Sequence, residues 1–247
     1  MSMVTLIFAL AFYVAIAVMT AGLVYKTWQF ASTPVPLKIP LMPAPLTKRG
    51  VAFRWIREVL YFESLFKSNK WTWIFSMLFH VGLLLVLLRH LRYFTEPVWF
   101  WVKLIQPFGV YGGFAMILGL LGLWARRLFV SRIRYISSLS DHLMLALLFL
   151  IGMSGYNIKY IAQTDIIAVK AFFLGLFSFK IQTLPSDPSL LVHLGLVLSL
   201  MIIFPFSKLL HVPGVFFSPS LNQVDDAREK RHTAAWVVEL DDKGSRT

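Results

Sequence analysis

The sequence predicts an all-α integral membrane protein: a bundle of five membrane-crossing helices with an amphipathic helix along its inner surface. Three observations predict it. The 247 residues are 57% hydrophobic and only 15% charged, whereas a soluble domain carries about 25% charged residues. Five apolar runs each approach the ~20 residues that a helix needs to cross the hydrocarbon core. The 24 Lys and Arg residues gather in alternate connections between those runs. A formal charge of +12 would suit a nucleic-acid binder, but its confinement to connections reads as membrane topology instead. The absence of cysteine excludes disulfides, thioether-linked haem and a thiolate-held iron–sulfur cluster on this chain.

The first run, 4–25, lacks the basic start of a signal peptide and is followed by Lys26, so it reads as a retained span. The proline-rich stretch 32–45 follows, a stiff strap or linker. In 51–70, Trp55, Ile56, Val59, Leu60 and Phe66 fall at helical spacing against Arg54, Arg57, Glu58 and Lys67, which predicts one amphipathic surface helix. Further spans are expected at 71–93, 107–125, 141–162 and 188–210. Between the last two, 163–187 is apolar but broken, and is expected to lie at the outer interface as a cover. Residues 1–211 thus form the membrane domain and 212–247 a polar tail. Segments 26–70, 126–134 and the tail from Lys208 hold eight, four and six Lys or Arg, against six on the other side. By the positive-inside rule the N-terminus is expected outside and the C-terminus inside.

Four histidines break the apolar pattern. His80 and His90 lie in the second run, His193 and His211 in and just beyond the fifth. Antiparallel spans set His90 level with His193 near the outer surface, and His80 level with His211 further in. Eighteen residues are five helical turns, which puts His193 and His211 on one face of a continuous helix. The unequal spacing of the two pairs asks for tilt or for a kink at Pro205. Buried imidazoles need partners, and two bis-histidine sites at two depths are what two non-covalent b haems require as axial iron ligands. Arg89 and Arg92 stand by the outer pair as cations for haem propionates. Lys208, Arg126, Arg127, Arg132 and Arg134 stand by the inner pair. Gly82 and Gly195 offer room for flat rings. No catalytic residue is assigned. His142 reads as a solvated helix-edge residue next to Ser140 and Asp141, which are expected to start its helix, and His232 as a surface residue of the tail. Glycines 112, 113, 119 and 122 are expected to ease helix packing, and Glu96 and Lys103 to face water. A haem-free anchor or proton relay is the rival from another class.

The stretches HVGLLLVLLRHLRYFTEP, RRLFVSRIRYISSLSDHL and HLGLVLSLMIIFPFSKLLH resemble the cytochrome b (gamma) subunit of respiratory nitrate reductase. The inner loop PLKIPLMPAPLTKRGVAFRWIREVLYFESLFKSNKWTW is similar to the DsrM family, the cytochrome b subunits of membrane complexes linked to dissimilatory sulfite reductase. The resemblance implies that His80 and His211 ligate an inner haem b, and His90 and His193 an outer one. It also implies quinone or quinol chemistry beside the outer haem, and a cytoplasmic iron–sulfur partner subunit among other membrane-complex subunits. Electrons would pass between the quinone pool and that partner in sulfur metabolism; related roles are those of nitrate reductase-like and heterodisulfide reductase-like complexes. Two departures matter: Arg89 stands where the nitrate-reductase relatives have a small residue, and Val110 aligns near their quinone-site lysine. Tyr93, Phe94, Trp99 and Trp101 are candidate walls of a quinone cleft.

Overall fold

The computed structural model describes residues 2–34 and 39–226; Lys38, His232 and the rest of the tail lie outside them. Every regular element among the described residues is helical. Five helices are long and apolar enough to cross a membrane: Met3–Ser32, Lys70–Tyr93, Phe100–Phe129, Leu139–Ala162 and Pro188–Phe206. The chain divides into two compact units, one made of residues up to Thr20 with Ser64–Phe204, the other of Ala21–Glu63 with the residues from Pro205 onward.

In the first unit, the start of α1 (Met3–Ser32) packs with segments far along the chain. Beyond α2 (Lys48–Tyr61) and α3 (Glu63–Ser68), the helix α4 (Lys70–His90) opens on Asn69. The Asn69 side chain accepts from the Thr72 amide at 2.8 Å, satisfying one of the amides a helix start leaves without a helical partner. The α-helix tightens into a 3₁₀ turn at Leu91–Tyr93. Next come α5 (Phe100–Phe129), α6 (Ser131–Ile136) and α7 (Leu139–Asn157), which widens into a π turn at Ile158–Ala162. The start of α7 is a capping box between Ser138 and Asp141, so Asp141 acts from the third helical position and not as the cap itself. Helices α8 (Ile166–Phe177) and α9 (Pro188–Ile203) start on Asp165 and Asp187, whose carboxylates accept from the Ile167 and Ser189 amides.

Helices α4 and α5 lie against each other at backbone distance. A Cβ added at Gly82 would sit 2.5 Å from the Gly112 carbonyl oxygen, and one at Gly119 would sit 2.5 Å from the Phe79 nitrogen. Lipid tails are as apolar as leucine, so such close backbone packing, not exclusion of water, holds membrane helices together. Gly82, expected to admit a flat ring, is therefore taken up by α5. The stretch 163–187 is likewise more than a cover. Its Phe172, fully buried, packs with Phe12 of α1 and Leu194 of α9 in one apolar cluster. The Tyr13 hydroxyl donates to the Leu176 carbonyl at 2.8 Å, and the Leu184 amide donates to Thr5 Oγ1 at 3.1 Å.

The fifth span does not run as one helix to His211. The α-helix ends at Ile203, and 3₁₀ turns follow at Phe204–Phe206 and Lys208–Leu210 before the single turn α10 (His211–Gly214). Pro205 has no N–H to donate, and its ring collides with the carbonyl four residues earlier. The unbroken helix on which the one-face relation of His193 and His211 rested is therefore absent.

In the second unit, Thr47 caps α2 by accepting from the Gly50 amide at 3.1 Å. The single amphipathic helix expected over 51–70 is two helices, parted at Phe62, which has φ 50°. Arg57 and Glu63 form an ion pair of 2.6 Å there. Arg54, assigned to the polar face, is instead buried, and its Nη1 has no hydrogen-bond partner among the described residues. Trp55 stacks on Phe216 at 4.7 Å and donates to Asn222 Oδ1 at 2.7 Å. The described end of the proline-rich strap is tied down as well: the Leu41 amide donates to the Ser220 carbonyl, and the Asp225 amide to the Pro45 carbonyl.

Candidate functional site

The four candidate histidines share one feature that their sequence positions do not reveal. The His80 Nδ1 lies 2.8 Å from the Ser76 carbonyl, the His90 Nδ1 2.7 Å from the Val86 carbonyl, and the His211 Nδ1 2.9 Å from the Lys208 carbonyl. A carbonyl oxygen can only accept, so each Nδ1 donates and each proton sits there. On α4 this follows from helix geometry, because the carbonyl four residues back lies beneath the ring. His193 reaches the same state by another route. Its Nδ1 lies 2.8 Å from Ser154 Oγ, and that hydroxyl gives its own proton to the Ile151 carbonyl at 3.0 Å. With its proton there, Ser154 accepts from His193. Backbone carbonyls fix the other three rings as the tautomer with the lone pair on Nε2, the state an imidazole needs to ligate a metal, and Ser154 lets His193 take it too.

His142 is the counter-example. The Trp124 indole N–H donates to its Nδ1 at 3.1 Å, so its lone pair is already used and its proton belongs on Nε2. It is half-buried on α7 and held by a neighbouring helix, not solvated at an edge. Beside it, Arg127 reaches the buried Asp141 at 3.7 Å and the Ser137 hydroxyl at 3.0 Å.

Around His90 and His193 the first unit assembles a defined setting. The Tyr93 ring lies 5.8 Å from that of His90. A Cβ at Gly155 would stand 3.4 Å from His193 Cε1, whereas one at Gly195 would meet nothing within 4 Å. Two residues along a helix turn by ~200°, so the open space at Gly195 lies on another face of α9 than His193. Arg89 Nη1 donates to the Gln106 carbonyl at 2.9 Å, and Arg92 Nη1 to Gln106 Oε1 at 3.1 Å. Gln106 Nε2 returns a bond to the Arg89 carbonyl. Gln106, to which the sequence assigned no role, thereby fastens both guanidinium groups to α5. Lys208 sits in the 3₁₀ turn whose carbonyl receives the His211 Nδ1–H.

The four aromatic candidates divide. Phe94 packs edge-on against Phe173 and Phe177 of α8 at 5.2 and 6.0 Å, and Arg92 lies over the Tyr93 ring at 5.1 Å. Trp99 and Trp101 pack on each other and are 51% and 42% exposed. Glu96 is exposed, as expected, and also pairs with Lys170 of α8.

Haem fits this donor set. Among the described residues no three His, Asp or Glu side chains converge as a protein-only metal site would require. A macrocycle-held iron needs only axial imidazoles that present Nε2, and the contacts at Nδ1 turn all four rings that way.

The model of the nitrate reductase gamma subunit family matches residues 50–222. The chain is 35% identical to the Hdr-like menaquinol oxidoreductase cytochrome b-like subunit of Archaeoglobus fulgidus, over 91% of this chain and 81% of that one. It is 32% identical to the protein of the same name from Archaeoglobus profundus, over 91% and 80%. With the greater part of its length matched in each comparison, the chain belongs to the nitrate reductase gamma subunit family.

Proposed function

We propose that this protein is a membrane dihaem cytochrome b that passes electrons between the quinone pool and a cytoplasmic iron–sulfur partner subunit. His90 and His193 hold the outer haem; His80 and His211 hold the inner one. The observation that carries the proposal is the shared tautomer: four imidazoles, each donating from Nδ1, each with its lone pair on Nε2. The inner pairing rests on the depth order of the sequence and on the family. A bound haem takes up and gives off one electron at a time.

The chain's own work is to hold and orient. The backbone carbonyls of Ser76, Val86 and Lys208 and the Ser154 hydroxyl fix the rings. Arg89 and Arg92, fastened by Gln106, set positive charge beside His90, where propionates would gain most from it; Lys208 does so near His211. The quinone site lies beside the outer haem, walled by Tyr93 and Phe94 beneath α8. The names of the two archaeal relatives favour menaquinol as the quinol. The inner-loop resemblance favours a sulfite reductase-linked complex, in which iron–sulfur chemistry sits on another subunit because this chain has no cysteine. The N-terminus lies outside and the C-terminus in the cytoplasm, as the charge distribution demands.

The test is anaerobic addition of a short-chain menaquinol to the purified protein while the b-haem absorbance is followed. Rapid reduction that a quinone-site inhibitor blocks is the expected result. A haem-loaded protein that menaquinol does not reduce would refute the quinone link.

A further inference from the structure

The two haem sites are not held alike, and the difference is a single side chain. His80, His90 and His211 donate from Nδ1 to a carbonyl three or four residues earlier, a partner that no side-chain substitution removes. His193 instead bonds across to a neighbouring helix: its Nδ1 lies 2.8 Å from Ser154 Oγ on α7, 39 positions away in the chain. The hydroxyl has one proton and gives it to the Ile151 carbonyl at 3.0 Å. Histidine, serine and carbonyl thus form a directed chain in which each bond polarises the next. Gly155, the next residue of α7, lies under the same ring, with 3.4 Å between its would-be Cβ and His193 Cε1. Helix α7 therefore grips the imidazole from two adjacent positions.

We infer that Ser154 is the positioning residue of the outer haem, setting the ring plane of His193 and, through it, the reduction potential of that haem alone. The inference rests on the reading that His193 is an axial ligand. An acceptor at Nδ1 makes the imidazole more basic at Nε2, and a more basic ligand favours the ferric over the ferrous iron. Removing the acceptor should favour reduction.

The experiment compares wild type, Ser154→Ala and Ser154→Thr by haem content, redox titration and low-temperature EPR of the purified protein. In Ser154→Ala, one haem should titrate at a more positive potential with altered g-values while the other stays put. Loss of one buried hydrogen bond shifts its oxidised-to-reduced ratio roughly three- to tenfold; the upper end is ~59 mV for one electron. Ser154→Thr, which restores the hydroxyl, should restore the potential. Loss of one haem in the alanine variant with retention in the threonine variant would also support the role. Unchanged potentials and g-values in Ser154→Ala, equal shifts at both haems, or haem loss in both variants would overturn it. Wild type without b haem would instead remove the reading beneath it.

Discussion

The contact between α4 and α5 gives the sharpest structural prediction. At Gly119 an alanine Cβ would stand 2.5 Å from the Phe79 nitrogen and 2.6 Å from the Phe75 carbonyl oxygen. Carbon and carbonyl oxygen settle at about 3.3–3.6 Å even in favourable contacts, so the helices must part by close to 1 Å. Both obstructing atoms belong to the backbone of α4, and no rotamer change can clear them. Gly82→Ala meets the same obstacle from the other side, 2.5 Å from the Gly112 oxygen and 2.6 Å from the Met116 nitrogen. Overpacking of this kind costs about 1–3 kcal/mol, and backbone obstacles put these sites at the upper end, above the ~1 kcal/mol that alanine returns in helix propensity. Because α4 carries both His80 and His90, the displacement also moves two of the proposed haem ligands. Thermal unfolding in detergent should show a clearly lower midpoint for each variant, and the haem-to-protein ratio should fall. Variants with wild-type midpoint and full haem content would show that α4 and α5 are not packed at backbone distance.

Four further outcomes follow from the same geometry. His90→Ala and His193→Ala should each abolish one and the same low-spin EPR signal, and His80→Ala and His211→Ala the other; a shared loss between His80 and His193 variants would break the pairing. His142→Ala should keep both haems, because Trp124 already occupies its Nδ1, and loss of a haem signal would make His142 a ligand. Gly155→Leu should lower haem content with little loss of helicity by circular dichroism, since a Cβ there already stands 3.4 Å from His193 Cε1; full haem content would separate His193 from haem binding. In cross-linking of the native complex, Lys48 and Lys67 should reach the iron–sulfur subunit, while contacts confined to Lys103, Lys170 and Lys180 would reverse the topology.

The spans were legible because each is a long apolar run, and length plus apolarity is nearly all that a membrane demands of a helix. Their ends were not. Lys103 and Gln106 lower the apolarity of the first turns of α5, so the sequence starts that span at 107 although the helix begins at Phe100. The division of the amphipathic helix at Phe62 carries no signal, because neither glycine nor proline marks it; a left-handed phenylalanine is set by its surroundings. The segment 163–187 looked peripheral because its proline and aspartate residues interrupt it, yet the apolar face of α8 is buried. The histidines stood out as polar groups in apolar runs. Ser154 and Gln106 have that same mark more faintly: each is a neutral polar residue of a membrane-crossing helix, and such residues so often bond their own helix that only the structure singles them out. Arg54 was misread for a related reason, since helical spacing names a face but not what covers it.

The central claim is that four histidines of one tautomer hold two haems. Pyridine haemochrome analysis of the purified, well-folded protein, read with its reduced-minus-oxidised spectrum, tests it most directly. Two bis-imidazole sites require about two b haems per chain, released without covalent attachment because no cysteine is present to form a thioether. A folded preparation reconstituted with haem that still contains none, or contains it covalently bound, would contradict the account.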